Sequence, residues 1–177
     1  VLASMLMEEG VAAEAASVLE QLVALDTSSF QAHNYLGMAQ HQADNRVQAR
    51  ASFERALALN TDHVETLINM SVLEWEEGNG DVAVDFLERA AALEPDNRDV
   101  IVNTAVMQVQ MGHVESGVRL LTDYLAKNSH DIEATRMLAE VLLQAGDAEN
   151  ARSLARDVLA QWQNDAGARA ILEKLSE

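Results

Sequence analysis

The sequence has no cysteine, one proline in 177 residues, and few aromatic side chains. Without cysteine it has neither a disulfide framework nor a thiolate metal site. The scarcity of proline and aromatic residues, beside abundant Ala, Leu, Glu and Gln, favours helices over strands. No apolar run approaches the roughly 20 residues that span a bilayer. We therefore expect an all-α protein without direct membrane insertion.

Basic residues are also scarce, with 12 Lys and Arg against 29 Asp and Glu and a formal net charge of -17. This charge repels phosphate backbones and anionic lipid headgroups, so nucleic acid and membrane surfaces are poor candidate partners. The amino terminus, from Val1 to Met7, lacks the basic segment of a signal peptide. We expect a cytoplasmic location, and the periplasm stays open as the alternative.

The sequence repeats with a period of 34 residues, on which Gly78, Gly112 and Gly146 share one phase. A fixed period of this length predicts a solenoid, and solenoids usually bind partners rather than catalyse reactions. Because Val1 falls at the sixth position of a repeat, we expect the chain to be cut from something longer. We predict one array over 1–177, composed of a truncated repeat at 1–29, full repeats at 30–63, 64–97, 98–131 and 132–165, and a capping helix or the start of a further repeat at 166–177.

Each repeat has apolar or small residues at the spacing of two amphipathic helices joined by a short turn. The turn position favours glycine, which adopts a left-handed conformation at little cost, and Asp is a tolerable substitute there. Side-chain oxygens between repeats predict helix caps. The turn residues are Gly10, Asp44, Gly78, Gly112 and Gly146, and the predicted caps are Ser28-Ser29, Asp62, Asp96-Asn97, Asp131 and Asn164-Asp165.

Small residues at two further positions of the repeat predict close crossings between paired helices. They include Gly37 at the first position, with Ala49 and Gly117 at the second. Larger side chains there would overpack the crossing.

These residues resemble the tetratricopeptide repeat, a 34-residue helix-turn-helix. Leu36-Gly37, Ala49, Phe53 and Ala56 match its pattern in one repeat, and the next repeat supplies Leu87, Ala90 and Pro95. The resemblance implies a right-handed α-α superhelix with the first helix of each repeat lining the inside. The chain departs from the family pattern at a position that is usually aromatic and is occupied here by Gln40, Glu74 and Gln108.

The family resemblance also implies which side chains of the first helices face the groove. In this chain they form an apolar strip with an acidic rim, which suits a basic, amphipathic peptide or helix. Packing within the stack is the alternative for any one valine, and burial is the alternative for Trp75. The candidate groove residues are Asn34, Met38, Ile68, Asn69, Val72, Trp75, Val102, Asn103, Val106, Arg136 and Glu140.

Asn69 and Asn103 occupy the same position in successive repeats. An amide has donors and an acceptor, so a pair of them could hold a peptide main chain. This arrangement resembles part of the asparagine ladder of some tetratricopeptide grooves. The alternative is that each Asn bonds to a neighbouring helix end. A clamp for a terminal carboxylate is disfavoured, since Arg136 is the one basic residue among the matching positions.

Catalytic and metal motifs are not evident. The five histidines share no paired ligand spacing, so we expect no metal, no cofactor and no catalytic residue. The sequence therefore predicts a non-enzymatic scaffold that binds a protein or peptide. Two alternatives stay open, namely a non-catalytic module excised from a bacterial enzyme such as a glycosyltransferase, and a scaffold that forms homo-oligomers through the ends of the array.

Overall fold

The computed structural model describes residues 12–176, and this part of the chain contains ten α-helices and no strand. The all-α prediction is confirmed, and the fold is a helical-repeat solenoid. The helices are α1 (Ala12–Leu25), α2 (Phe30–Gln42), α3 (Arg46–Leu59), α4 (Val64–Glu76), α5 (Gly80–Leu93), α6 (Arg98–Gln110), α7 (Val114–Lys127), α8 (Ile132–Gln144), α9 (Ala148–Gln161) and α10 (Ala166–Lys174).

The chain divides into two compact units between Glu94 and Pro95. In the first unit, α2 packs on α1, α3 and α4, and α4 packs on α3 and α5. In the second unit, α6 packs on α7 and α8, while α8 also packs on α7, α9 and α10. We call α2, α4, α6, α8 and α10 the first helices, because each begins a repeat of the sequence. We call α3, α5, α7 and α9 the second helices.

Each unit has its own apolar core. In the first unit, Leu19 of α1 meets Leu36 of α2, and a second cluster joins Phe53 of α3 to Leu73 of α4. In the second unit, one cluster extends from Ala105 of α6 to Ile171 of α10. The buried side chains recur at the spacing of one helical face, which is the pattern that predicted these helices.

The turns within the repeats follow the sequence prediction. Gly78, Gly112 and Gly146 have φ angles of 83°, 87° and 81°, and Asp44 has φ 59°. This is the left-handed region, which a side chain with a Cβ seldom enters. The predicted roles of the three glycines and of Asp44 are therefore confirmed, whereas Gly10 lies outside the described residues.

Helix caps agree with the prediction in four of the five places. The side chains of Ser29, Asn97, Asp131 and Asp165 accept hydrogen bonds from the first-turn amides of α2, α6, α8 and α10. The prediction for Asp62 is wrong, because α4 begins at Val64 and the residue directly before it is His63. His63 occupies the cap position without a side-chain cap bond. Instead, His63 Nδ1 lies 2.7 Å from Thr66 Oγ1 within the first turn.

Glycine permits two of the helix crossings. A Cβ on Gly37 would come within 2.5 Å of two ring carbons of Phe53, a side chain that is 1% exposed. A Cβ on Gly117 would lie 2.6 Å from the carbonyl oxygen of Ala105. The predicted close crossings are therefore confirmed for α2 with α3 and for α6 with α7.

The polar residues that depart from the family pattern are paired. Buried Gln40 accepts a hydrogen bond at 2.7 Å from Ser52 Oγ. Glu74, which is 4% exposed, accepts from Arg50 and, at 2.8 Å, from Asn79 Nδ2. Because Arg50 bonds to the ionised carboxylate, the pKa of Glu74 is lowered despite burial. Polar partners on adjoining helices thus replace the aromatic packing that the pattern usually supplies here.

Candidate functional site

Asn34 lies inside the first unit and not on an accessible face. Its side chain is 0% exposed, and Oδ1 accepts hydrogen bonds from Thr66 Oγ1 at 2.9 Å and from Asn69 Nδ2 at 3.0 Å. The prediction that Asn34 offers a groove surface is wrong, because its amide joins α2 to α4. An amide oxygen buried there would be costly without these two donors.

The other predicted residues of the first unit differ in accessibility. Ile68 is 8% exposed, so its prediction as a surface residue is also wrong. Met38 is half-buried and packs against the cluster that contains Phe53. Val72 and Trp75 of α4 are half-buried, and a Cβ on Gly80 would come within 3.4 Å of the Trp75 ring. Val72, Trp75 and Met38 thus keep partial access to a partner.

A polar contact joins the ends of the first helices in this unit. His41 Nε2 of α2 lies 2.9 Å from Glu76 Oε2 of α4. Arg46 Nη2 lies 3.6 Å from the same carboxylate oxygen. The Glu76 carboxylate is therefore partnered within the unit, which reduces the negative potential that it presents to a ligand.

In the second unit, α6 presents three of the predicted residues. Val102, Asn103 and Val106 are half-buried, and the two valines are four residues apart on the same helical face. Asn103 Nδ2 donates to the backbone oxygen of Asp99 at 2.7 Å. The part of the chain that the structure describes gives no partner to the Asn103 carbonyl oxygen.

Each of the two asparagines predicted to form a ladder already donates one side-chain N–H to another residue of the chain. Asn69 donates to the Asn34 side chain and Asn103 donates to its own helix. Neither of these hydrogen bonds reaches a neighbouring helix end, so the alternative interpretation does not describe these donors, although both hydrogen bonds are internal to their units. Their carbonyl oxygens keep the capacity to accept from a ligand.

Charged side chains on the first helices of the second unit pair with one another. Arg98 bonds to Asp99 and to Glu133, both at 2.9 Å. Arg136 Nη1 of α8 bonds to Glu140 Oε1 at 2.5 Å, and its Nε lies 3.8 Å from a carboxylate oxygen of the α10 cap. Four carboxylates thus surround two guanidinium groups, and the face as a whole is acidic.

Within residues 12–176, no group of three or more His, Asp and Glu side chains has an arrangement that could hold a metal ion. Among the same residues, no helix combines the length and apolar character that crossing a membrane requires. The candidate site therefore consists of half-buried apolar side chains, amide oxygens and paired charges, a set that suits non-covalent binding.

Two family models, both described as tetratricopeptide repeat, match the sequence. One matches residues 2–63 and the other residues 108–175, so together they cover more than half of the chain. A comparison with curated proteins found no match.

Solved structures of similar fold include TTC0263 from Thermus thermophilus, a thermophilic TPR protein that is 17% identical, with a TM-score of 0.87 over 98% of this chain and 95% of that one. PilF of Pseudomonas aeruginosa is 19% identical, with a TM-score of 0.72 over 98% and 87%. YrrB, a TPR protein with an unusual peptide-binding site, is 13% identical, with a TM-score of 0.63 over 97% and 88%. At these identities the likeness shows the fold alone.

Proposed function

Because the chain belongs to the tetratricopeptide repeat family, we propose that it is a non-enzymatic scaffold whose first helices hold a peptide or an amphipathic helix of a partner protein. The family supports a role in protein interaction in general terms, and its helical-repeat fold is typical of non-catalytic scaffolds. The peptide-binding site of YrrB supports peptides as the class of ligand.

The observation that carries this proposal is the face of α6 and α8 in the second unit. Val102 and Val106 are half-buried in the unbound chain, so a ligand that covers them removes further apolar surface from water. The surrounding charges are acidic in sum, as four carboxylates flank Arg98 and Arg136. A ligand that combines apolar and basic side chains complements both features.

Asn103 adds a contact that does not depend on the ligand sequence. Its N–H is held by the backbone of Asp99, which restrains the amide before a ligand arrives. The carbonyl oxygen then accepts from a main-chain N–H of the ligand. Asn69 plays the same part in the first unit, where Asn34 restrains it and Val72 and Trp75 supply the apolar contacts.

The affinity of either face is modest. A flexible peptide loses conformational freedom when it is ordered on the protein. We therefore expect a Kd of about one micromolar, which corresponds to a binding free energy of about -8 kcal/mol. Arg136 and Glu140 form an ion pair with each other. Their role in binding is to contribute to the charge of the face.

The test is a selection of a displayed library of random 12-residue peptides on the purified chain. We expect recovered peptides to combine Lys or Arg with Leu, Ile or Phe, and to lose binding to Val106→Lys or Val72→Lys while circular dichroism shows unchanged helicity. Val82→Lys is the matched control, because Val82 is exposed on a second helix. Selected peptides that bind both lysine variants as well as the parent would refute the proposal.

A cytoplasmic location remains a prediction. The excised-module and self-assembly alternatives also remain predictions, which the same selection addresses. A chain that serves only to position an enzyme, or to assemble with itself through its ends, yields no peptides that depend on Val72 or Val106.

A further inference from the structure

An open groove runs along the second helices of the second unit, between α7 and α9 and above α8. We call it the α7–α9 groove. Two adjoining sections of about 590 and 660 Å³ share Thr122 as a lining residue. Leu138, Leu142 and Leu154 are among the apolar side chains that line it. This surface belongs to the opposite helices from Val102 and Val106, so it is separate from the face proposed above.

The corresponding region of the first unit, between α3 and α5, is crossed by two arginines. Arg50 of α3 bonds to Glu74 and, at 2.6 Å, to Glu77. Arg89 of α5 donates to the backbone oxygen of Thr61 at 3.0 Å. These side chains connect each second helix to the segments around α4.

The second unit lacks these bridges at positions two repeat lengths further along. Val118 replaces Arg50, Leu142 replaces Glu74, and Ala145 replaces Glu77. At the other end, Asp157 replaces Arg89, and an Asp cannot donate to the backbone oxygen of Ser129, which replaces Thr61. The substitutions at 118, 142 and 145 therefore place apolar lining residues of the groove where the first unit has bridging charged residues. The region between α3 and α5 in the first unit therefore serves as an internal comparison for the α7–α9 groove.

The charges of the rim indicate the occupant. Glu115, Asp123 and Asp157 are exposed along the groove and Arg119 is exposed beside them, so the lining is acidic in sum. An apolar groove with acidic edges complements an apolar stripe flanked by basic side chains. Helix α7 has 14 residues, about 21 Å at 1.5 Å per residue, so the groove accommodates about four turns of a ligand helix.

We propose that the α7–α9 groove is a second docking surface, which binds a basic amphipathic helix of a partner protein. Apolar residues of that helix at i, i+4, i+7 and i+11 fill the space above α8, and its Lys or Arg residues pair with Glu115, Asp123 and Asp157. The occupant is a different molecule from the ligand of the first helices, or a different segment of the same partner.

The probe is a fluorescein-labelled 16-residue peptide of Leu and Lys with the leucines on one helical face. The protein carries Val72→Lys and Val106→Lys, which removes the proposed sites on the first helices. We expect saturable binding of one peptide per chain by fluorescence anisotropy. A peptide of equal composition, with leucines distributed around the helix, is the charge-matched control, and we expect it to bind at least tenfold more weakly.

Closing the groove tests its location. Val118→Arg with Leu142→Glu and Ala145→Glu transfers the ion pairs of the first unit, and we expect at least a tenfold loss of affinity with unchanged helicity. Thr122→Arg is a second, single substitution at an exposed position shared by both sections, and it serves if the triple variant fails to fold.

The reciprocal exchange opens the region between α3 and α5. Arg50→Val, Glu74→Leu, Glu77→Ala and Arg89→Asp, with Val47→Glu and Arg55→Asp to supply the acidic rim, should together raise the stoichiometry from one peptide per chain to two. Unchanged affinity in both closing variants would overturn the proposal. It is also overturned if the peptide fails to bind and the chain forms a dimer that Thr122→Arg dissociates, since the occupant is then a second copy.

Discussion

Replacing Gly117 with alanine tests the close crossing of α6 and α7. A Cβ at this position would lie 2.6 Å from the carbonyl oxygen of Ala105 and 2.6 Å from Val109 Cγ2, whereas ordinary contacts begin at 3.4 Å. The two helices must therefore separate locally by about 0.8 Å, the difference between 3.4 and 2.6 Å. The Ala105 oxygen belongs to the backbone, so a change of side-chain rotamer cannot move it away.

The expected net effect is a loss of stability. Overpacking of this kind costs about 1 to 3 kcal/mol, and a backbone obstacle favours the upper half of that range. Alanine regains about 0.5 to 1 kcal/mol over glycine from helix propensity. The difference is a net loss of about 1 to 2.5 kcal/mol, or a fall in Tm of about 2 to 10 °C by thermal unfolding under circular dichroism.

Gly167→Ala is the matched control in the same unit. A Cβ on Gly167 would meet Arg136 Cδ at 2.9 Å, its Nη1 at 3.1 Å and Glu140 Oε1 at 3.2 Å, which are atoms of two paired side chains that can shift together rather than backbone atoms. We expect its Tm to equal or exceed that of the parent, because the propensity gain then dominates. A Gly117→Ala protein that is as stable as Gly167→Ala would refute the reasoning about the crossing.

Three further results follow from the structure. Gly37→Leu should lower stability by about 1 to 3 kcal/mol in urea unfolding, because buried Phe53 occupies the space of the new side chain, and unchanged unfolding would contradict the assigned register. Arg50 lowers the pKa of Glu74, so the stability that this ion pair contributes is complete above the unfolded pKa and is lost as pH falls through the lower folded pKa. Glu74→Gln should therefore weaken the fall in the free energy of unfolding below about pH 4.5. An identical pH dependence in parent and variant would count against the Arg50–Glu74 pair. Asp165→Ala removes the cap of α10 and should cost about 1 kcal/mol by thermal unfolding, while Asp165→Asn should retain most of that stability.

The repeat period predicted the helices because local features decide them. Glycine at the turns and Ser, Asn or Asp at the caps act within a few residues, so Gly112 and Asp131 are correctly assigned from sequence. Asp62 shows the limit of this reasoning. Helix α4 begins in register with the other first helices, so its cap position falls on His63, and Asp62 lies one residue before that position.

The candidate site was less predictable because its residues depend on neighbours in other repeats. Asn34 has the spacing of a groove residue, yet Thr66 and Asn69 bury and satisfy it from α4. The spacing that predicted an exposed face also fits a row of residues between two first helices. Buried polar Glu74 could have been suspected of pairing from its departure from the family pattern, but its partner Arg50 lies 24 residues earlier on a second helix.

The central claim is that the first helices hold a peptide. Its most direct test is isothermal titration of a peptide selected on the parent chain against the parent, the Val106→Lys and Val72→Lys variants, and the Val82→Lys control. We predict micromolar binding to the parent and the control, with at least a tenfold loss in one of the other two while helicity is unchanged. Equal affinity for all four proteins would contradict the claim.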